Sequence, residues 1–187
     1  MRIISGVYGG RPLESLPGRD TRPTGDKLKE TLFNIIGPYF KGGKVLDLYA
    51  GSGALGIEAV SRGMDEAVLV DNNHIATRVI KKNLQITKET FKFEVLNSSS
   101  DAAINLLANR HEKFRLIFLD PPYAKQTIEQ DIENILNQDL LDEVALIVCE
   151  VASDVTLPEE INGLQLWDER KFGKSKLYIY QQINSIE

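Results

Sequence analysis

The sequence predicts an α/β protein, a mostly parallel sheet of seven strands covered by helices and finished at one edge by an antiparallel hairpin. Three observations carry this. From residue 44 onward, short apolar runs alternate with segments of helical periodicity, the pattern of parallel strands joined by crossover helices. The first of those runs passes directly into a glycine-rich turn, which suits a strand-to-helix connection that binds a ligand. The last two strand-like runs flank Gly173, Lys174 and Ser175, where turn residues close a hairpin.

Taken in order, residues 2–7 and 11–16 flank Gly9 and Gly10 and read as a small β-hairpin leading into a loop rich in Pro and Gly. Leu28, Leu32, Phe33, Ile35 and Ile36 recur at helical spacing over residues 26–39, with Thr24 or Asp26 as N-cap and Pro38 as terminator. Strands follow at 44–48, 67–70, 93–96, 114–119 and 144–150, with helices at 54–62, 73–85, 101–109 and 127–136. Runs at 164–172 and 176–182 form the closing hairpin. The domain organisation read from this is an N-terminal hairpin and loop over residues 1–25 and one larger domain over 26–187.

At 187 residues and 42% hydrophobic content, the chain suits a domain of ordinary size with a sizeable core. The single cysteine, Cys149, lies in an apolar run, so a disulfide framework and a cysteine metal cluster are both excluded, and no metal is expected. No charged-then-apolar leader and no apolar stretch near the roughly 20 residues of a membrane span is present, so a soluble, cytoplasmic protein with no membrane partner is expected. The net charge of −5 argues mildly against a nucleic-acid partner, but its distribution argues the other way. Residues 1–45 hold eight Lys or Arg against four acids, a net +4, so the remainder carries −9. Arg170, Lys171, Lys174 and Lys176 form a second basic group, and the two groups together would make a basic face on an acidic protein.

The turn after the first core strand reads Asp47, Leu48, Tyr49, Ala50, Gly51, Ser52, Gly53, Ala54, Leu55, Gly56. Its glycines allow a sharp turn and close approach to a ligand, and the following helix supplies N–H groups. As G-x-G-x-x-G it would also serve a dinucleotide. Asp47 separates the two, because a carboxylate has no obvious role against a pyrophosphate but suits a cofactor carrying an ammonium and a sulfonium, as S-adenosylmethionine does. Asp71, after the second strand, is placed to accept ribose hydroxyls, with Asn72 beside it. After the third strand, Ser99 or Asp101 is the candidate adenine contact, although Ser100 and Asp101 also suit the start of a helix.

The fourth strand ends in Asp120, Pro121, Pro122 and Tyr123. Each proline fixes its own φ and removes an N–H, and Pro121 and Pro122 hold Asp120 and Pro121 extended. Such a rigid turn aims the Asp120 carboxylate and a main-chain carbonyl at one point, with the Tyr123 ring beside them. Two acceptors gripping an exocyclic amine draw its lone pair out of the base toward a methyl donor. The histidines, His74 and His111, read as solvated side chains outside this chemistry.

With the glycine loop, ribose acid and DPPY in that order, the chain resembles amino-group methyltransferases of the Rossmann-like class. Arg2, Ile3, Ile4, Ser5 and Gly6, then Gly10 to Leu13, Arg22-Pro23-Thr24 with Asp26, Phe33-Asn34-Ile35, Glu58-Ala59, Ser61-Arg62-Gly63 and residues 170–180 extend the resemblance to the RsmD family, nearly end to end. That family is the 16S ribosomal RNA guanine-N2 methyltransferases. The resemblance implies a class I methyltransferase transferring a methyl group from S-adenosylmethionine to N2 of guanine 966 in 16S rRNA of the small subunit or its assembly intermediate. It implies that Asp47, Tyr49, Ala50, Gly51, Ser52, Gly53, Asp71, Asn72, Ser99 and Asp120 meet the cofactor. Asp120 and Pro121, with Pro122 and Tyr123, would hold the guanine, and Arg2, Arg11, Arg22, Thr24 and Lys174 the RNA. Family members commonly carry an acid where this chain places Ser99. Ribosomal protein surfaces are a second expected contact, and a monomer the expected state. The nearest rival is a DNA adenine-N6 or cytosine-N4 methyltransferase, which the lack of a separate target-recognition domain disfavours. An NAD-dependent oxidoreductase and a non-catalytic RNA-binding protein are more distant ones.

Overall fold

The structure, a computed structural model, describes residues 1–17, 23–122 and 124–182. The chain forms two compact units, Met1–Ser99 and Ser100–Glu187.

In the first unit, helix α1 (Pro23–Ile36) precedes strands β1 (Lys44–Asp47), β2 (Glu66–Asp71) and β3 (Phe93–Asn97). All pairings are parallel, with β2 between β1 and β3. Helix α2 (Ala54–Ser61) packs on β1 and β2, and α3 (His74–Thr87) on β2 and β3. Val45, Leu46 and residues 67–70 are buried, as expected for parallel strands covered by helices. The buried residues of α3, Ala76, Thr77, Ile80, Asn83, Leu84 and Thr87, fall on one stripe at helical spacing. Asn73 caps that helix, its side chain accepting from Ile75 N at 2.8 Å.

In the second unit, α4 (Ser100–Asn109) and α5 (Ala124–Asn137) accompany strands β4 (Phe114–Leu119), β5 (Leu141–Ala152), β6 (Glu160–Ile161), β7 (Leu164–Phe172) and β8 (Ser175–Gln182). β4 and β5 are parallel; β5 with β8, β8 with β7 and β7 with β6 are antiparallel. The parallel core and the antiparallel closing hairpin are as predicted.

Several elements differ in extent from the sequence reading. Eight strands occur among the described residues rather than seven, because β6 adds a two-residue edge. Its turn is Asn162-Gly163, both at positive φ, the backbone that a tight hairpin demands. β5 starts three residues early because Asp142 is held in place, accepting from Arg115 Nε at 3.0 Å, while Phe114 N donates to Leu140 O. Helix α1 starts at Pro23, so Thr24 and Asp26 lie inside it rather than capping it, and Ser100 likewise opens α4 rather than preceding it.

The N-terminal hairpin is reduced to one antiparallel bridge, Arg2 with Pro12, plus the bonds Ile3 N to Arg11 O, Gly10 N to Ile3 O and Leu13 N to Met1 O. A longer ladder is lost because its amides go elsewhere. Ile4 N and Ser5 N donate to the Glu58 carboxylate at 2.9 and 3.1 Å, and Val7 N and Tyr8 N to Ser61 O and Oγ. Glu58 is fully buried in α2 and also takes Arg62 Nε at 2.7 Å, with Lys29 Nζ at 3.5 Å. Lys29 Nζ donates to Arg2 O at 2.7 Å. A buried ionic cluster thus ties the N-terminal segment, α1 and α2 together.

Candidate active site

The glycine loop leaves the carboxyl end of β1 and is fixed to the end of β2. Ala50 N donates to Val70 O at 2.8 Å, and Gly51 N donates to Asp71 Oδ2 at 2.9 Å. Gly51 and Gly53 have φ of 59° and 85°, a region that side chains with a Cβ enter at a cost of about 1–2 kcal/mol. Gly53 is the N-cap of α2, and no side chain caps that helix end. A Cβ on Gly56 would lie 2.3 Å from Leu69 Cδ2, so the third glycine seats α2 against β2.

Asp47 is 2% exposed, and its Oδ1 accepts from Tyr49 N at 3.1 Å, so the carboxylate is held at the base of the loop. Asp71 takes one N–H on each oxygen, from Gly51 and Asn73, and a carboxylate has about four lone-pair sites. Capacity for two ribose hydroxyls therefore remains on a side chain that also organises the loop. Ser98 N donates to Asp71 O at 3.0 Å, which holds the exit of β3 against Asp71. Ser99 follows, exposed, immediately before α4; Asp101 is exposed in the first turn of that helix, and Asn72 is exposed beside Asp71. Glycine cradle, buried acid and half-satisfied acid are a donor and acceptor set that fits S-adenosylmethionine.

In the second unit, β4 is buried along nearly its whole length and ends at Leu119, so Asp120 emerges from a rigid strand. Asp120 is exposed, Pro121 buried and Pro122 exposed, and α5 begins at Ala124. Tyr123 lies outside the described residues.

The RNA-facing candidates are placed differently from one another. Arg2 is exposed. Arg11 donates from Nη1 to Ile86 O and Thr87 O at 3.0 and 3.2 Å, where a cation meets the carbonyl end of α3, and its guanidinium lies 5.4 Å from the Tyr8 ring centroid. Arg22 lies outside the described residues. Thr24 is in the first turn of α1, and Lys174 is exposed in the β7 to β8 turn. His74 and His111 are both exposed.

Sequence reasoning gave no role to the residues that hold these parts, Glu58, Ser61, Asn83 and Tyr8, although Glu58 and Ser61 are among those that carry the family resemblance. The signal was present for two of them. Glu58 is the one charged residue in the apolar helix α2, and Asn83 stands on the apolar stripe of α3, where a polar side chain must find partners.

Residues 1–181 match the family model described as Conserved hypothetical protein 95. The chain is 42% identical to the "Putative rRNA methyltransferase YlbH" of Bacillus subtilis over 97% of its length and 99% of that protein's. It is 39% identical to "Ribosomal RNA small subunit methyltransferase D" of Haemophilus influenzae, over 97% of this chain and 93% of that one. The solved structure of the "Putative methyltransferase yhhF" from Escherichia coli matches with a TM-score of 0.80 at 32% identity, covering 97% of both chains. The chain belongs to the RsmD family of Rossmann-like, S-adenosylmethionine-dependent methyltransferases.

Proposed function

We propose that this enzyme methylates the exocyclic N2 of guanine 966 in 16S rRNA, acting on the small ribosomal subunit or its assembly intermediate. The observation that carries this reading is the Asp120-Pro121-Pro122 turn at the end of β4, in a chain whose glycine loop is already clamped by Asp71. Full-length similarity to named small-subunit rRNA methyltransferases supports the substrate.

Asp47 and the loop residues Tyr49, Ala50, Gly51, Ser52 and Gly53 hold the methionine end, Asp71 and Asn72 the ribose, and Ser99 the adenine edge. When bound, S-adenosylmethionine supplies a methyl group on a positively charged sulfur, which departs as a neutral thioether. Asp120 accepts one N–H of the guanine amine and the Pro121 carbonyl the other, so the nitrogen lone pair is directed at the methyl. Positioning is the main catalytic effect. The methylated nitrogen is positively charged and acidic, so its proton passes readily to a carboxylate or to water, and no histidine is required. Tyr123 stacks on the guanine, a contact typically worth about 1–3 kcal/mol for an unstacked base. Arg2, Arg11, Arg22, Thr24 and Lys174 contact RNA, residues 1–25 forming the RNA-facing extension of a methyltransferase domain over 26–187. The enzyme acts as a cytoplasmic monomer, and ribosomal protein surfaces add contacts that a chain of net charge −5 does not obtain from RNA alone.

The test offers labelled S-adenosylmethionine with undermethylated small subunits, free 16S rRNA and DNA in parallel. Label is expected in 16S rRNA, most strongly in the subunits. Label in DNA alone would overturn the reading in favour of a DNA amino-methyltransferase.

A further inference from the structure

The N-terminal segment runs alongside the glycine loop, and one buried side chain holds both. Asn83 is fully buried on α3, and its amide uses both Nδ2 hydrogens and one lone pair of Oδ1. Its Oδ1 accepts from Glu14 N at 2.8 Å; its Nδ2 donates to Glu14 O and to Ser52 O, each at 2.9 Å. One side chain therefore pairs with the whole peptide edge of Glu14 and with the carbonyl at the centre of the loop. Two residues on, Leu16 Cδ1 lies 3.8 Å from the position a Cβ on Gly51 would take. Between these anchors, Ser15 Oγ is buried and has no hydrogen-bond partner. The strip thus carries an unsatisfied hydroxyl beside the loop.

We propose that residues 14–16 form one wall of the S-adenosylmethionine site and that Asn83 is the positioning residue that fixes this wall to the loop. The N-terminal segment then serves the cofactor as well as the RNA. Loss of the Asn83 amide frees Ser52 and Glu14 together, leaving two carbonyls and one N–H without their partner. The proposal rests on the placement of the cofactor at residues 47–53.

Isothermal titration with S-adenosylhomocysteine on wild type, Asn83→Ala and Asp71→Ala tests it. Asn83→Ala is expected to weaken binding about tenfold with stoichiometry unchanged, and to leave kcat at saturating cofactor within about threefold of wild type. A fall in stoichiometry with unchanged affinity would show support of the fold only and overturn the proposal. Unchanged affinity in Asn83→Ala with weakened affinity in Asp71→Ala overturns the role of Asn83 alone. Unchanged affinity in both puts the cofactor elsewhere and overturns the placement beneath it. Should Asn83→Ala not fold, hydrogen exchange on the wild type decides: slower exchange at residues 14–16 with S-adenosylhomocysteine supports the wall, and unchanged exchange removes it.

Discussion

The glycine loop and the Asp120 turn are both connections leaving the carboxyl end of a buried parallel strand, yet they are held by different means. The loop depends on remote partners: Asp71 and Val70 on β2, and Asn83 on α3, meet the amides or carbonyls of residues 50–52. The Asp120 turn has its stiffness built into the covalent chain by two prolines in succession. A site held by remote hydrogen bonds is lost piecemeal when partners are removed. Proline rings fix their own φ whatever the neighbouring residues are. Under the proposed function, the two regions would separate cofactor binding from transfer.

The largest effect that sharpens this contrast is on the frame beneath the loop. Glu58→Ala leaves Lys29 and Arg62 buried without their carboxylate, and a loss of about 3–5 kcal/mol is expected from denaturant unfolding. Burial already pulls the Lys29 pKa below its ordinary value, with Glu58 opposing the shift. In wild type the unfolded chain accordingly binds more protons than the folded one between the lowered and the ordinary lysine pKa. Stability contributed by this group rises with pH across that window, and Lys29→Met should abolish the rise. Asp120→Ala comes next, with turnover falling about 10²–10³-fold while S-adenosylhomocysteine affinity is retained. Loss of affinity in that variant would break the separation between the two regions. Asp71→Ala should do the reverse, weakening cofactor binding about tenfold through loss of both the proposed ribose acceptors and the clamp on Gly51.

The smallest effect concerns Tyr8 in the N-terminal segment. Tyr8 donates to Glu89 Oε1 at 2.7 Å, a bond that holds the Glu89 carboxyl below its usual range, whereas burial raises the Tyr8 phenol. The stabilisation linked to Glu89 is present above the ordinary carboxylate pKa and is lost as pH falls through the lowered one. Acid unfolding of Tyr8→Phe should be less steep across that range than that of wild type.

Where a local rule decided the structure, the residues were enough to read it. β4 and β7 occur at their predicted bounds, and the Pro pair marks the end of β4 in any context. The glycine loop was legible for the same reason, since its positive φ values leave few residue choices. The reading stopped short where the partner lies far along the chain. Nothing near residues 4 and 5 shows that their amides go to Glu58, so a hairpin was expected where the segment bonds to α2 as well as to itself. Asn162-Gly163 is a different case. It is a strong local hairpin signal, but the edge strand before it has only two residues, too few to show an alternating pattern.

The most direct measurement is nucleoside analysis of 16S rRNA from undermethylated small subunits treated with wild type or Asp120→Ala. N2-methylguanosine at position 966 is expected with wild type, and its formation about 10²–10³-fold slower with the variant, although the variant still binds S-adenosylhomocysteine. A different methylated nucleoside with wild type, or undiminished N2-methylguanosine with Asp120→Ala, would contradict it.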